Sequence, residues 1–236
     1  MYSLRSITET PPKVGIEILS CQPELAPLVY CGPWSGPVHL SAESSLFPDS
    51  LLKLVNGCLM GDVIRYLLRQ ELPDNWCVLS QNDILQVADE NMLLHDYRGI
   101  VIPLCLSNGW TFLFYTNPTS CPDAYPLQFV DPNLCFSGDL SRFLKAKDLV
   151  SRWIPKDAAW VPEEINEHQI KLASSQGASR LDSGIHVILN AIAMAKTGES
   201  ESRELNARMC KAIRARYFVI LLNDMRTAIE KATKKR

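Results

Sequence analysis

Asp182-Ser183-Gly184-Ile185 opens an apolar run with helical spacing, which sets a hydroxyl at the start of a helix. Two uses follow from the residue types. Asp182 suits the N-cap, where a short acceptor meets free backbone N–H groups. Ser183 is a second capping hydroxyl, or a nucleophile if a base lies within reach. His186 is three positions on, and side chains at i and i+3 are neighbours on a helix. Its direction along the helix carries it back over the preceding turn, without an assured line to the hydroxyl. Asp131 stands in Asp131-Pro132-Asn133, where an Asp side chain commonly closes the turn. Gln176 lies in a polar loop. Trp110 follows a Ser107-Asn108-Gly109 break and reads as core or as the wall of a cleft. Of the other histidines, His95 and His168 fall in expected loops, and His39 falls in a proline-rich arm.

Metal and phosphate chemistry find no support. The eight cysteines (Cys21, Cys31, Cys58, Cys77, Cys105, Cys121, Cys135 and Cys210) include no CxxC pair, so a zinc ribbon or a thioredoxin-type site is not expected. Several sit in apolar runs, as Cys77 and Cys105 do, and read as reduced buried thiols of an intracellular protein. No GxxxxGK[ST] or GxGxxG loop occurs. No metal and no cofactor is expected.

The elements that must position these residues are legible in part. The chain has 236 residues, 47% of them apolar, and a formal net charge of −2. That suffices for a large core and excludes disorder throughout. The near-neutral total argues against nucleic-acid binding by bulk charge. No apolar stretch approaches the roughly 18 residues that span a bilayer, and the first nine residues lack a signal peptide's apolar core.

Residues 1–48 hold seven of the fifteen prolines and predict an extended arm with little regular structure, lying against the domain. Leu51 to Val55 suggests a short helix. Met60, Ile64, Leu67 and Leu68 recur at helical spacing, with Asp62 early and Pro73 past the end. Trp76–Leu79, Ile100–Leu106, Trp110–Tyr115 and Leu127–Val130 read as strands, the middle two as a hairpin. Residues 81–87 and 139–149 read as helical, and 151–182 is poorly patterned. A helix runs from Ser183 to Gly198. A last one, over about 202–231, carries Leu205, Met209, Ile213, Tyr217 and Ile220 on its apolar face. Charge is divided unevenly. Residues 202–236 hold ten Lys/Arg and three acids, a balance of +7, which leaves −9 for residues 1–201.

In this order of elements the sequence resembles the ubiquitin-like-protein-specific proteases, the SUMO-protease group of papain-like cysteine peptidases. Over about residues 44–230, Leu59-Met60-Gly61-Asp62 matches a WLND-type helix start, and Asn108-Gly109-Trp110 matches a His-Trp strand. Asp131 in FVDPN, Gln176 and Asp182-Ser183-Gly184 follow in the family's order. The resemblance implies an α+β, papain-like fold: a small central mixed β-sheet over residues 76–173, flanked by helices. The 183–197 helix is expected to be central. It also implies a 1–43 arm, a 44–232 domain and a 233–236 basic tail.

In that family a thiolate at the helix start is stabilised by the helix N-terminus. A His deprotonates it and an Asp orients the His. A Gln and a backbone N–H hold the oxyanion, and the aromatic after the His walls a channel for a Gly-Gly tail. Here Ser183 stands in place of the Cys, Gly109 in place of the His, and Gln176 lies seven residues before Ser183 where six is usual. Asp131 and Trp110 keep their types. A serine without a base is a poor nucleophile, so peptidase activity is expected to be absent or very weak.

Three readings follow. In the first, the chain is a pseudo-protease whose cleft, with Trp110, Asp182 and His186 around it, binds a ubiquitin-like modifier, a peptide tail or another protein. In the second, it is a repurposed enzyme that takes a small molecule into the old cavity. In the third, it is a Ser183-dependent hydrolase or acyl transferase with its base from His186 or His39. No nucleic-acid or membrane partner is expected.

Overall fold

The structure, a computed structural model, describes residues 37–41, 44–80, 97–106, 109–117, 127–132, 170–171, 179–199 and 205–234. The expected helices over 81–87 and 139–149, most of 151–182, and Gln176, His95 and His168 lie outside the described residues. By its contacts the chain divides into two compact units, one of residues 1–66 with 205–236 and one of residues 67–204.

In the first unit, β1 (Val38–Ser41) and β2 (Ser44–Leu46) form an antiparallel pair with an irregularity between His39 and Ser41. Regular structure therefore enters the proline-rich stretch at its end. Val38 and Leu46 supply its buried side chains, while His39 Nδ1 and Ser45 Oγ share a hydrogen bond of 2.7 Å. Helix α1 (Pro48–Asn56) starts with proline at its first position, where a missing N–H costs nothing. Helix α2 (Gly61–Glu71) crosses the division between the units. Its Asp62 accepts from Ser50 Oγ at 2.7 Å and Phe47 N–H at 3.2 Å, which ties the two helix starts together. Met60, assigned from sequence to the apolar face, precedes the helix and is 37% exposed. Ile64, Leu67 and Leu68 are buried as expected, and Val63 and Tyr66 are buried with them.

The second unit is built on a five-stranded mixed sheet in the order β3 (Trp76–Val78), β4 (Gly99–Leu106), β5 (Gly109–Thr116), β6 (Leu127–Val130) and β7 (Ile170–Lys171). The two outer pairings are parallel and the two inner ones antiparallel. Gly99 to Leu104 and Thr111 to Thr116 are buried without alternation. That pattern belongs to strands covered on both faces. Pro103 is tolerated in β4 because the pairing with β3 ends at Val101, so that edge needs no donor. Cys105, expected to be buried, is exposed near the strand's end, whereas Cys210 in the first unit is buried. The sequence pattern did not reveal β7, a two-residue strand.

Helix α3 (Ser183–Thr197) packs on β5. It ends at Gly198, whose φ of 79° is the left-handed conformation that closes many helices, with its N–H on Met194 O at 2.8 Å. Helix α4 (Ala207–Lys234) starts later than expected because Asn206 Oδ1 accepts from Met209 N–H at 2.9 Å and fixes the cap. Its buried stripe is also offset from the expected one: Cys210, Arg214, Tyr217, Phe218, Leu221 and Met225 are covered, whereas Met209, Ile213 and Ile220 are only partly so.

Candidate functional site

Except for His39, which lies in the first unit, every described candidate residue belongs to the second unit. The β4–β5 register sets Trp110 against Cys105 and Gly109 against Leu106. The β5–β6 register sets Phe112 against Val130, so Asp131, one residue further, is level with Thr111. Positions two apart share a face of a strand, and diagonal cross-strand neighbours lie roughly 7–8 Å apart. Asp131 therefore falls on the face of Gly109, one diagonal away. It is 1% exposed.

Helix α3 brings in Ser183. Its Oγ accepts the Trp110 N–H at 2.9 Å and donates its proton to the Arg180 carbonyl at 2.8 Å. The side chain is fully buried. Sheet and helix are thus joined at this hydroxyl. Positions 109, 110, 131 and 183 gather at the start of β5, the end of β6 and the start of α3.

The backbone at Gly109 has φ 130°. L side chains rarely adopt that value, so any side chain here would be strained. The imidazole that the resemblance implies at this position is excluded by backbone conformation as well as by residue type.

Asp182 occupies the N-cap position of α3, but its side chain makes no cap bond to the helix. Its carboxylate instead accepts from Ser179 Oγ at 2.8 Å, while its N–H donates to Ser179 O at 2.9 Å. The capping role read from the sequence is thereby corrected: local closure with Ser179 competes for the carboxylate. His186 is 1% exposed. Burial lowers its pKa from the ordinary 6.5, and the Asp182 carboxylate opposes the change only in part. Its carbonyl accepts from Asn190 Nδ2 at 2.8 Å. Ser183, His186 and Asn190, at i, i+3 and i+7, form a buried polar stripe on α3.

The described residues include no group of three or more His, Cys, Asp or Glu able to hold a metal ion. Two positioning residues escaped the sequence reading. Ser179 was passed over as one of several loop polar residues. Arg214 in α4 is 4% exposed and donates from Nη1 to Leu54 O at 2.8 Å and Gly57 O at 2.9 Å, at the end of α1. Its signal was a charged residue in step with Cys210, Tyr217 and Leu221.

Comparison with known proteins bears on the fold. No protein-family model matches the chain, and no curated protein does. Solved structures do. The Ulp1 protease domain in complex with Smt3, the yeast orthologue of SUMO, superposes with a TM-score of 0.60 at 14% identity, over 90% of this chain and 95% of that one. SUMO protease Ulp1 with its catalytic cysteine oxidised to a sulfinic acid gives 0.58 at 11% identity, over 87% and 95%. The Chaetomium thermophilum Ulp1-like SUMO protease catalytic domain gives 0.54 at 17% identity, over 87% and 89%. The chain has the α+β fold of these proteases.

Proposed function

We propose that this chain is a pseudo-protease of the ubiquitin-like-protease fold, whose former active-site cleft binds a protein or peptide partner without cleaving it. The observation that carries the reading is the state of Ser183. Its proton is committed to Arg180 O and a lone pair to Trp110 N–H, in full burial. A nucleophile needs its proton to leave toward a base. The neighbouring position that would supply one is a glycine in a conformation hostile to side chains. Asp131 is retained in full burial, but position 109 holds no imidazole for it to orient.

A ubiquitin-like modifier, or its C-terminal tail, is the partner favoured here. The support is a structural neighbour in complex with Smt3 and a partly exposed Trp110 at the start of β5. Truncating a central aromatic anchor commonly costs 2 kcal/mol or more, roughly thirtyfold in affinity. Calorimetric titration of the chain with a panel of ubiquitin-like modifiers tests the reading. Saturable binding of at least one modifier, weakened by Trp110→Ala, is expected. Absence of binding to every modifier, or binding indifferent to Trp110→Ala, would overturn the assignment of the cleft. An intracellular location belongs to the same proposal, supported by Cys58, Cys77, Cys105 and Cys210 standing as thiols.

A further inference from the structure

Helix α4 presents one continuous face to solvent. At 100° per residue, Arg208, Arg216, Asn223, Arg226, Glu230 and Lys234 fall within a quarter turn of one another, and all six are exposed. The partly covered Ala212 and Val219 fill the same strip. Four cations thus stand along about 39 Å of helix, from the 1.5 Å rise per residue. Of these four cations, Arg226 has an ion-pair partner, Glu230 at 2.9 Å. Arg208, Arg216 and Lys234 have none among the described residues.

Helix stability explains only part of this pattern. Lys231 and Lys234 complement the negative C-terminal end of the dipole. Arg208 does the reverse: it stands in the first turn, which contains no acid, where positive charge is unfavourable. Arg216 lacks a partner at i±4, since Ala212 and Ile220 occupy those places. Arg208 and Arg216, which do not serve the helix, are open to serve a partner.

We infer that this face of α4 docks an acidic polypeptide segment. Charge complementarity selects the sign. One feature favours a polypeptide over a nucleic acid: the strip offers no aromatic for base stacking, because Tyr217 and Phe218 are buried. The partner's carboxylates meet the cations at the rim of the helix, while Ala212 and Val219 give small apolar contacts between them. This surface belongs to the first unit, and the inference does not depend on the cleft reading.

The test is fluorescence anisotropy of a labelled polyglutamate peptide against the full chain at low salt. A Gly-Ser peptide of equal length and single- and double-stranded DNA serve as competitors. Binding of the acidic peptide is expected. It should weaken roughly tenfold in the Arg208→Glu/Arg216→Glu/Lys234→Glu variant, the scale of effect of rim charges acting together. Arg208→Glu alone should hold or raise the melting temperature, because an acid suits the first turn; that separates a binding role from a structural one. Peptide affinity unchanged by the triple reversal would overturn the inference. So would DNA competing better than polyglutamate, or a fall in melting temperature with Arg208→Glu.

Discussion

At 2.9 Å from the Trp110 N–H and 2.8 Å from the Arg180 carbonyl, the Ser183 oxygen has its proton and one lone pair engaged. Ser183→Ala removes both bonds from a fully buried position, so a loss of about 1–3 kcal/mol in unfolding free energy is expected. Chemical denaturation measures it, and an unchanged midpoint would deny the hydroxyl its structural role. His186 gives a pH signature. Burial disfavours the imidazolium, so the folded pKa lies below the unfolded value near 6.5. The unfolded chain then binds more protons below that pH, and stability falls as pH drops through about 6.5. Melting temperatures between about pH 7.5 and 5.5 should decline more steeply in the native chain than in His186→Gln. Equal slopes would contradict the burial argument. Tyr66 shows the opposite response of an acidic group to burial. Burial, and then the Asp224 carboxylate, hold its phenol above the ordinary tyrosine range, and it donates to Asp224 Oδ2 at 2.9 Å.

Between elements, close approach and end-capping fix the geometry. Gly99 is required by packing: a Cβ there would lie 2.3 Å from Trp76 Cζ3 and 2.6 Å from the Tyr115 carbonyl oxygen. Trp76 is also stacked near Phe114, with ring centroids 4.7 Å apart, so it has little room to retreat. Gly99→Ala should cost at least about 1–3 kcal/mol by the overpacking scale, and a denaturation midpoint equal to that of the native chain would refute the contact. In the other unit, Arg214 supplies charged donors to two carbonyls at the end of α1, where the helix dipole favours a cation. Arg214→Ala removes both bonds and should destabilise by about 2–3 kcal/mol in the same assay. The exposed face of the same helix carries the proposed acidic-segment docking surface, where the charges of Arg208 and Arg216 are not explained by the helix's own dipole.

Across the whole chain, what could be read in advance followed from pattern strength. Strands β4, β5 and β6 were legible because runs such as Ile100–Leu104 and Phe112–Tyr115 are apolar between turn residues. Helix α3 was legible from its run and its Gly198 stop. The gathering of Gly109, Asp131 and Ser183 was implied by the order of elements even at 10–17% identity to the solved proteases. Other features have no one-dimensional trace. The φ of 130° at Gly109 is a backbone property that its residue type permits without announcing it. The Asp182–Ser179 closure arises from competition between acceptors that only geometry decides. The stripe on α4 was offset because a buried arginine took a core position that hydropathy assigns to an aliphatic. The two-part charge balance, −9 and +7, was visible from the start, but its partner-facing strip required exposure to be known. The proposed function rests on Ser183 and Gly109 standing where the resembled proteases have a thiol and an imidazole, and on their inability to perform that chemistry. The most direct measurement follows release of a fluorophore amide from the C-terminus of a bound ubiquitin-like modifier, with the native chain and Ser183→Ala side by side. Indistinguishable traces at background rate are expected; release by the native chain that Ser183→Ala abolishes would contradict the account.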